Sequence, residues 1–96
     1  MNEQHKSVLR EMSYEFSKFM QSPDAVAEYL YSHDEITDFD VEDIQAIRTR
    51  HGKASELVRL MRRRGPNAFN CLRAALIETD NQLLVTMLDA KLSEKK

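Results

Sequence analysis

The chain has no tryptophan, one cysteine, two glycines and two prolines among its 96 residues. A lone cysteine, Cys71, excludes an intramolecular disulfide, and the chain reads as intracellular. So few glycines and prolines leave little material for hairpins or long loops. Val, Ile and Thr are sparse beside Leu, Ala, Met, Glu, Lys, Arg and Gln, a bias that favours helices over strands. No apolar run is long enough to span a bilayer, and no secretory h-region follows Met1. A cytoplasmic location is therefore expected, with the nucleus as the other compartment that fits. His5, His33 and His51 are far apart and lack metal-ligand spacing. Cys71 has neither a nearby histidine nor a glycine-rich setting, which suits an inert thiol better than a nucleophile. Nothing in the chain implies a metal, a cofactor or an enzyme.

With 42 % hydrophobic and 31 % charged residues, the composition is that of one folded domain. A chain of this size buries roughly 60–70 % of its unfolded surface, enough for one modest core. The apolar residues recur at spacings of three and four, which predicts six short helices in an all-α antiparallel bundle. Their inner stripes are Val8, Leu9, Met12, Phe16, Phe19 and Met20; Val26, Tyr29 and Leu30; Val41, Ile44 and Ile47; Ala54, Leu57, Leu60 and Met61; Phe69, Leu72 and Leu76; and Leu83, Leu84, Met87 and Leu88. Ser22 is expected to cap the second helix, with Pro23 in its first turn. Thr37 and Asp40 have capping-box character for the third. A break is expected around Thr49–Gly52, Gly65 as a C′ glycine, Pro66 at the start of the fifth helix, and a capping-box spacing from Thr79 to Gln82. The domain is expected over residues 1–92, with 93–96 a polar tail or the start of a linker.

What the chain has in abundance is sorted charge. Six acids and no base lie between Asp34 and Asp43. Seven bases and one acid lie between Arg48 and Arg64, and the net charge of -2 hides both blocks. A mixed, solvated surface would intersperse the signs. Two separate faces of opposite sign give steering, register and partner choice. Local explanations compete: Asp38 and Asp40 complement the third helix's dipole, and Arg62, Arg63 and Arg64 sit at a helix C-terminus, Arg64 being the one that best fits a structural role. Binding of nucleic acid by the basic helix is a further alternative, disfavoured by the negative net charge and the adjoining acids.

The corner Arg63-Arg64-Gly65-Pro66-Asn67-Ala68-Phe69 is a helix stop, a glycine turn and a proline restart, followed by an aromatic that enters the core. Upstream stand Lys6-Ser7-Val8-Leu9-Arg10, Tyr29-Leu30-Tyr31 and Ile36-Thr37; downstream runs Cys71-Leu72-Arg73-Ala74-Ala75-Leu76-Ile77-Glu78-Thr79. In this order, over essentially the whole chain, the set resembles a caspase recruitment domain (CARD) of the death-fold superfamily, with likeness to adaptor and initiator-caspase members. The resemblance implies a six-helix Greek-key bundle, often with a kinked first helix. It also implies a non-catalytic homotypic module of apoptotic signalling whose partner is another CARD, in an initiator caspase or its adaptor or scaffold, or a further copy in a homo-oligomer; a stand-alone or inflammatory CARD regulator is the alternative. Carried over to this chain, the acidic face of helices 2 and 3 would use Glu28, Asp34, Asp38, Asp40 and Asp43. The basic face of helices 1 and 4 would use Arg10, Lys53, Arg59, Arg62 and Arg63. His51 and Ser55 stand near the start of helix 4, where some members carry interface arginines.

Overall fold

The three-and-four spacing resolves into seven helices in the computed structural model of the chain, which describes residues 3–65 and 67–95. They are α1 (Glu3–Glu11), α2 (Ser13–Phe19), α3 (Pro23–Ser32), α4 (Asp38–Ala46), α5 (Arg50–Arg62), α6 (Ala68–Glu78) and α7 (Gln82–Glu94). No strand occurs among the described residues. The segment beyond six comes from the expected first helix, which divides at Met12. Backbone bonds still cross the break, from Met12 N–H to the Val8 carbonyl and from Phe16 N–H to the Met12 carbonyl. The Ser13 hydroxyl donates to the Arg10 carbonyl at 2.7 Å. A hydroxyl that takes a carbonyl from the preceding turn bends a helix.

The Thr37–Asp40 cap forms as expected, and several other termini differ from expectation. Thr37 accepts from Asp40 N–H while the Asp40 carboxylate accepts from Thr37 N–H, a complete capping box. Thr49 caps α5 by accepting from Gly52 N–H at 3.0 Å, so the helix starts inside the expected break. Gly52 is needed there, because a Cβ would lie 2.7 Å from Ile47 Cγ2 and 2.8 Å from Thr49 Oγ1. Ser22 does not cap α3 with its side chain; it is left-handed, with φ of 48°. Thr79 ends α6 instead of capping α7. Gly65 does not adopt the positive φ expected of a C′ glycine, and Pro66 lies outside the described residues. Two aspartates take the left-handed role. Asp34 (φ 61°) closes α3 with bonds from Asp34 N–H to the Tyr31 carbonyl and Glu35 N–H to the Leu30 carbonyl. Asp80 (φ 62°) closes α6 with the equivalent bonds to Ile77 and Leu76. Both are Schellman closures built on Asp, one of the few side chains that tolerate this conformation.

The predicted stripes form the core, joined by Ala27, Ile36, Val58, Ala68, Ala75 and Val85, except that Ile47 stays outside it, because α4 ends at Ala46 and Ile47 is its extended C-cap. Phe19, Tyr29 and Met87 are only partly buried against it. Leu83 is a correction: it is 57 % exposed, because Leu84, Val85 and Leu88 supply the inward face of α7. Ser93 and Glu94 lie within α7, Lys95 Nζ pairs with Glu11, and Gln4 Nε2 donates to the Lys95 carbonyl. One buried polar side chain locks two connections. Asn81 Oδ1 accepts from Gln21 N–H at 2.6 Å, while Nδ2 donates to the Gln21 carbonyl and to Thr79 Oγ1. The α2–α3 loop is thereby tied to the α6–α7 turn. At the centre, α5 packs against α1, α2, α3, α4 and α6.

Candidate interaction surfaces

Because α5 is surrounded, its cations are divided between neighbours and solvent. Toward α3 and α4 they find acids. Lys53 Nζ lies 2.7 Å from Asp24 Oδ2 in the first turn of α3, and only 18 % of its side chain is exposed. Arg64, just past the end of α5, pairs with Asp40 in the first turn of α4. The Asp40 side chain, also 18 % exposed, thus serves Thr37 and Arg64 together. Arg50 does different work: its Nη1 donates to the Lys18 and Met20 carbonyls at 3.1 and 2.8 Å, satisfying the C-terminal end of α2.

Toward α1 and α2 the cations stay on the surface. Arg59, with 63 % of its side chain exposed, holds only Glu56 one turn earlier on its own helix. Arg62 lines two adjacent grooves. One, with Ser13, Ser55, Val58 and Arg59, lies against α2 and has a volume of about 100 Å³. The other, with Glu3, Lys6, Ser7 and Arg10, lies against α1 and has a volume of about 250 Å³. Arg63 is exposed at the end of α5. Of the basic residues predicted from sequence, Arg10, Arg59 and Arg62 are therefore gathered around α5, and Lys53 faces Asp24 instead. Ser55, near where some family members carry an interface arginine, lines the smaller groove, while His51 is exposed in the first turn of α5.

The acidic residues lie on α3, the α3–α4 connection and α4. Glu28 is exposed and accepts from Gln45 Nε2 at 3.4 Å, which joins the outer faces of α3 and α4. Asp34, Asp38 and Asp43 are exposed. Asp38 bonds the Tyr31 phenol, and that bond, followed by the charge of Asp38 itself, holds the phenol above its ordinary pKa; Glu28 and Asp34 add to the effect. Three carboxylates, Glu28, Asp34 and Asp38, and a tyrosine are thus one electrostatic neighbourhood. Asp40 belongs to the same helix but is turned to internal work.

Among these acids stands a residue to which the sequence reading gave no role. Phe39 is 78 % exposed in the first turn of α4. Its exposure had a signal: Val41 and Ile44 set the inward face, and a position two residues from Val41 lies roughly 200° around the helix. Of the remaining candidates, Cys71 is partly buried, and burial, with Glu35 nearby, raises its thiol pKa, which suits an inert role. His5 stacks on Phe69 with centroids 3.9 Å apart, and burial lowers its pKa. Among the described residues no group of His, Cys, Asp or Glu could hold a metal ion, and no helix is long and apolar enough to cross a membrane.

The model of the family described as Caspase recruitment domain matches residues 6–90, nearly the full length of the chain. No curated protein matches it.

Proposed function

Because the chain belongs to the caspase recruitment domain family, whose members are non-catalytic modules that bind one another, we propose that it recruits an initiator caspase, or the adaptor or scaffold of one, in apoptotic signalling. The bundle is the family's six-helix Greek key, with α1 and α2 the two halves of one kinked helix. The acidic contact face comprises Glu28, Asp34, Asp38 and Asp43. The basic contact face comprises Arg10, Arg59, Arg62 and Arg63. Asp40 and Lys53 act behind these faces as braces that hold α4 and α3 against α5. The module acts in the cytoplasm by raising the local concentration of whatever domains are attached to it and to its partner.

The observation that carries this reading is the separation of outward charge by sign. Acids crowd the outer side of α3 and α4, and bases crowd the grooves beside α1 and α2. Opposed faces of this kind orient an encounter and penalise like-charged partners. The experiment is a pull-down of purified initiator-caspase and adaptor CARDs by the immobilised domain, with circular dichroism on each variant. Binding to at least one of them, lost in Asp43→Arg or Arg62→Glu with helicity retained, is the expected result. Binding by both variants at the wild-type level would sink the assignment of the faces.

A further inference from the structure

Phe39 is the most exposed large apolar side chain among the described residues. It does not belong to the core cluster, and the capping box of α4 is made by Thr37 and Asp40 without it. Its helical neighbours three and four residues on are Glu42 and Asp43, both exposed, and Asp38 precedes it. The ring therefore stands inside a fence of carboxylates. One side chain answers both features: an arginine guanidinium lies flat on an aromatic face and pairs with a carboxylate at the same time. This chain presents arginines of that kind beside a recess. The open groove between α1 and α5, with a volume of about 250 Å³, is lined by Glu3, Lys6, Ser7, Arg10 and Arg62, so a ring entering it would lie on the guanidinium faces and alkyl stems of the arginines. The groove against α2, at about 100 Å³, is smaller than that.

We propose that Phe39 anchors a head-to-tail contact between copies of this chain, its ring seated between Arg10 and Arg62 in the α1–α5 groove of the next copy. Glu42 and Asp43 then face Lys6 and the two arginines, which outnumber the one acid of the groove, Glu3. The proposal rests on the acidic-against-basic reading above and adds the aromatic anchor, the groove that receives it and the second copy as occupant. Since the two patches differ, each added copy leaves one anchor and one groove free, and the contact propagates unless its rotation closes a ring.

Sedimentation velocity of the purified chain over a concentration series, at low and high salt, tests this. The wild type is expected to form a concentration-dependent series of species above the monomer at low salt, weakened at high salt. Phe39→Ala is expected to weaken association about 30-fold or more, as a buried aromatic anchor does, with unchanged helicity because the site is exposed and alanine favours helix. Arg10→Glu blocks the groove and leaves the anchor. Each variant alone is expected to stay monomeric, and their equimolar mixture to stop at a one-to-one dimer, since Phe39→Ala retains the groove that Arg10→Glu lacks. A wild type that is monomeric throughout overturns the proposal, as does a mixture that fails to pair. Wild-type association by Phe39→Ala also overturns it, and Asp43→Arg then separates the two readings. Loss of association in Asp43→Arg alone removes the anchor and keeps the charged faces, while retention in both variants removes both.

Discussion

The two sides of α5 carry the same kinds of residue and use them differently. On the side facing α3 and α4, Lys53 and Arg64 are partly buried and meet Asp24 and Asp40. On the side facing α1 and α2, Arg59 and Arg62 border open grooves, and Arg59 reaches no further than its own helix. A cation packed between helices stabilises the fold if its partner is present, and leaves an uncompensated charge if the partner is removed. A cation on a groove contributes little to folding and remains available for another molecule. Proximity in sequence does not separate the classes: Arg62 and Arg64 are two residues apart.

The largest expected effects fall on the outward side and concern association. Arg62→Glu or Asp43→Arg should reduce binding to a CARD partner at least about 100-fold, in the range found when a close interfacial charge pair is disrupted, while urea midpoints stay near wild type. A pair of variants with normal binding and lowered midpoints would invert the comparison. Next comes the inward side. Asp40→Ala removes the acceptor for Thr37 N–H and the partner of Arg64, and should cost about 2–3 kcal/mol in urea unfolding. A loss below about 0.5 kcal/mol would mean that Asp40 is free to act in binding. Smaller still, a double-mutant cycle on Lys53 and Asp24 should return a coupling of about 0.5–1 kcal/mol, and one on Arg59 and Glu56 less than about 0.5 kcal/mol. Equal couplings would erase the distinction between the two sides.

A change of pH offers a smaller perturbation, remote from α5. The Arg73 guanidinium grips Asp89 through two bonds of 2.9 and 2.7 Å and, by that hydrogen bond first, holds its carboxyl below the ordinary value. A carboxyl depressed in the folded state stabilises at pH above its unfolded pKa, and the contribution is lost as pH falls through the folded one. His5 is lowered from 6.5 by burial, so the unfolded state takes up its proton first. Its effect is therefore full stability above pH 6.5 and a decline below it. Unfolding midpoints should fall from pH 7.5 to 5.5, less steeply in His5→Gln, and fall again below pH 4, less steeply in Asp89→Asn. A wild-type midpoint that rises between pH 7.5 and 5.5 would contradict the sign for His5.

Much of this architecture was legible in the order of residues. Stripes such as Val41 and Ile44, or Leu57, Leu60 and Met61, are periodic because each helix has one inward face, and Thr37 with Asp40 is a local signal that local geometry honours. The resemblance implied a kinked first helix, but the place of the split at Met12 was not legible, because the apolar pattern runs through it unbroken and the Ser13 hydroxyl that turns back to the Arg10 carbonyl is a single residue. Leu83 and Gly65 misled for the opposite reason: residue type suggested a role that the turn did not require. The acids and bases were found as blocks, and Arg64 could be suspected of structural duty from its place at a helix end. Which acid meets which base is a matter of how α3 and α4 lie against α5, over separations of 24 to 29 residues, and no spacing rule reaches that far. Arg50 on the carbonyls of Lys18 and Met20 is hidden in the same way. Phe39 was legible in principle, from its offset to Val41, though an aromatic in a run of acids attracts attention only once the inward face is known.

The division of α5 is tested most directly by one comparison of equals, the urea unfolding midpoints of Arg64→Gln and Arg62→Gln. Both substitutions remove one guanidinium from the same short run of three arginines and leave a side chain of similar helix propensity. Arg64→Gln is expected to lose about 1–2 kcal/mol, because Asp40 is left without its charged partner. Arg62→Gln is expected to stay within about 0.5 kcal/mol of wild type. Equal losses, or a larger loss for Arg62→Gln, would contradict the assignment of one arginine to the fold and the other to a partner.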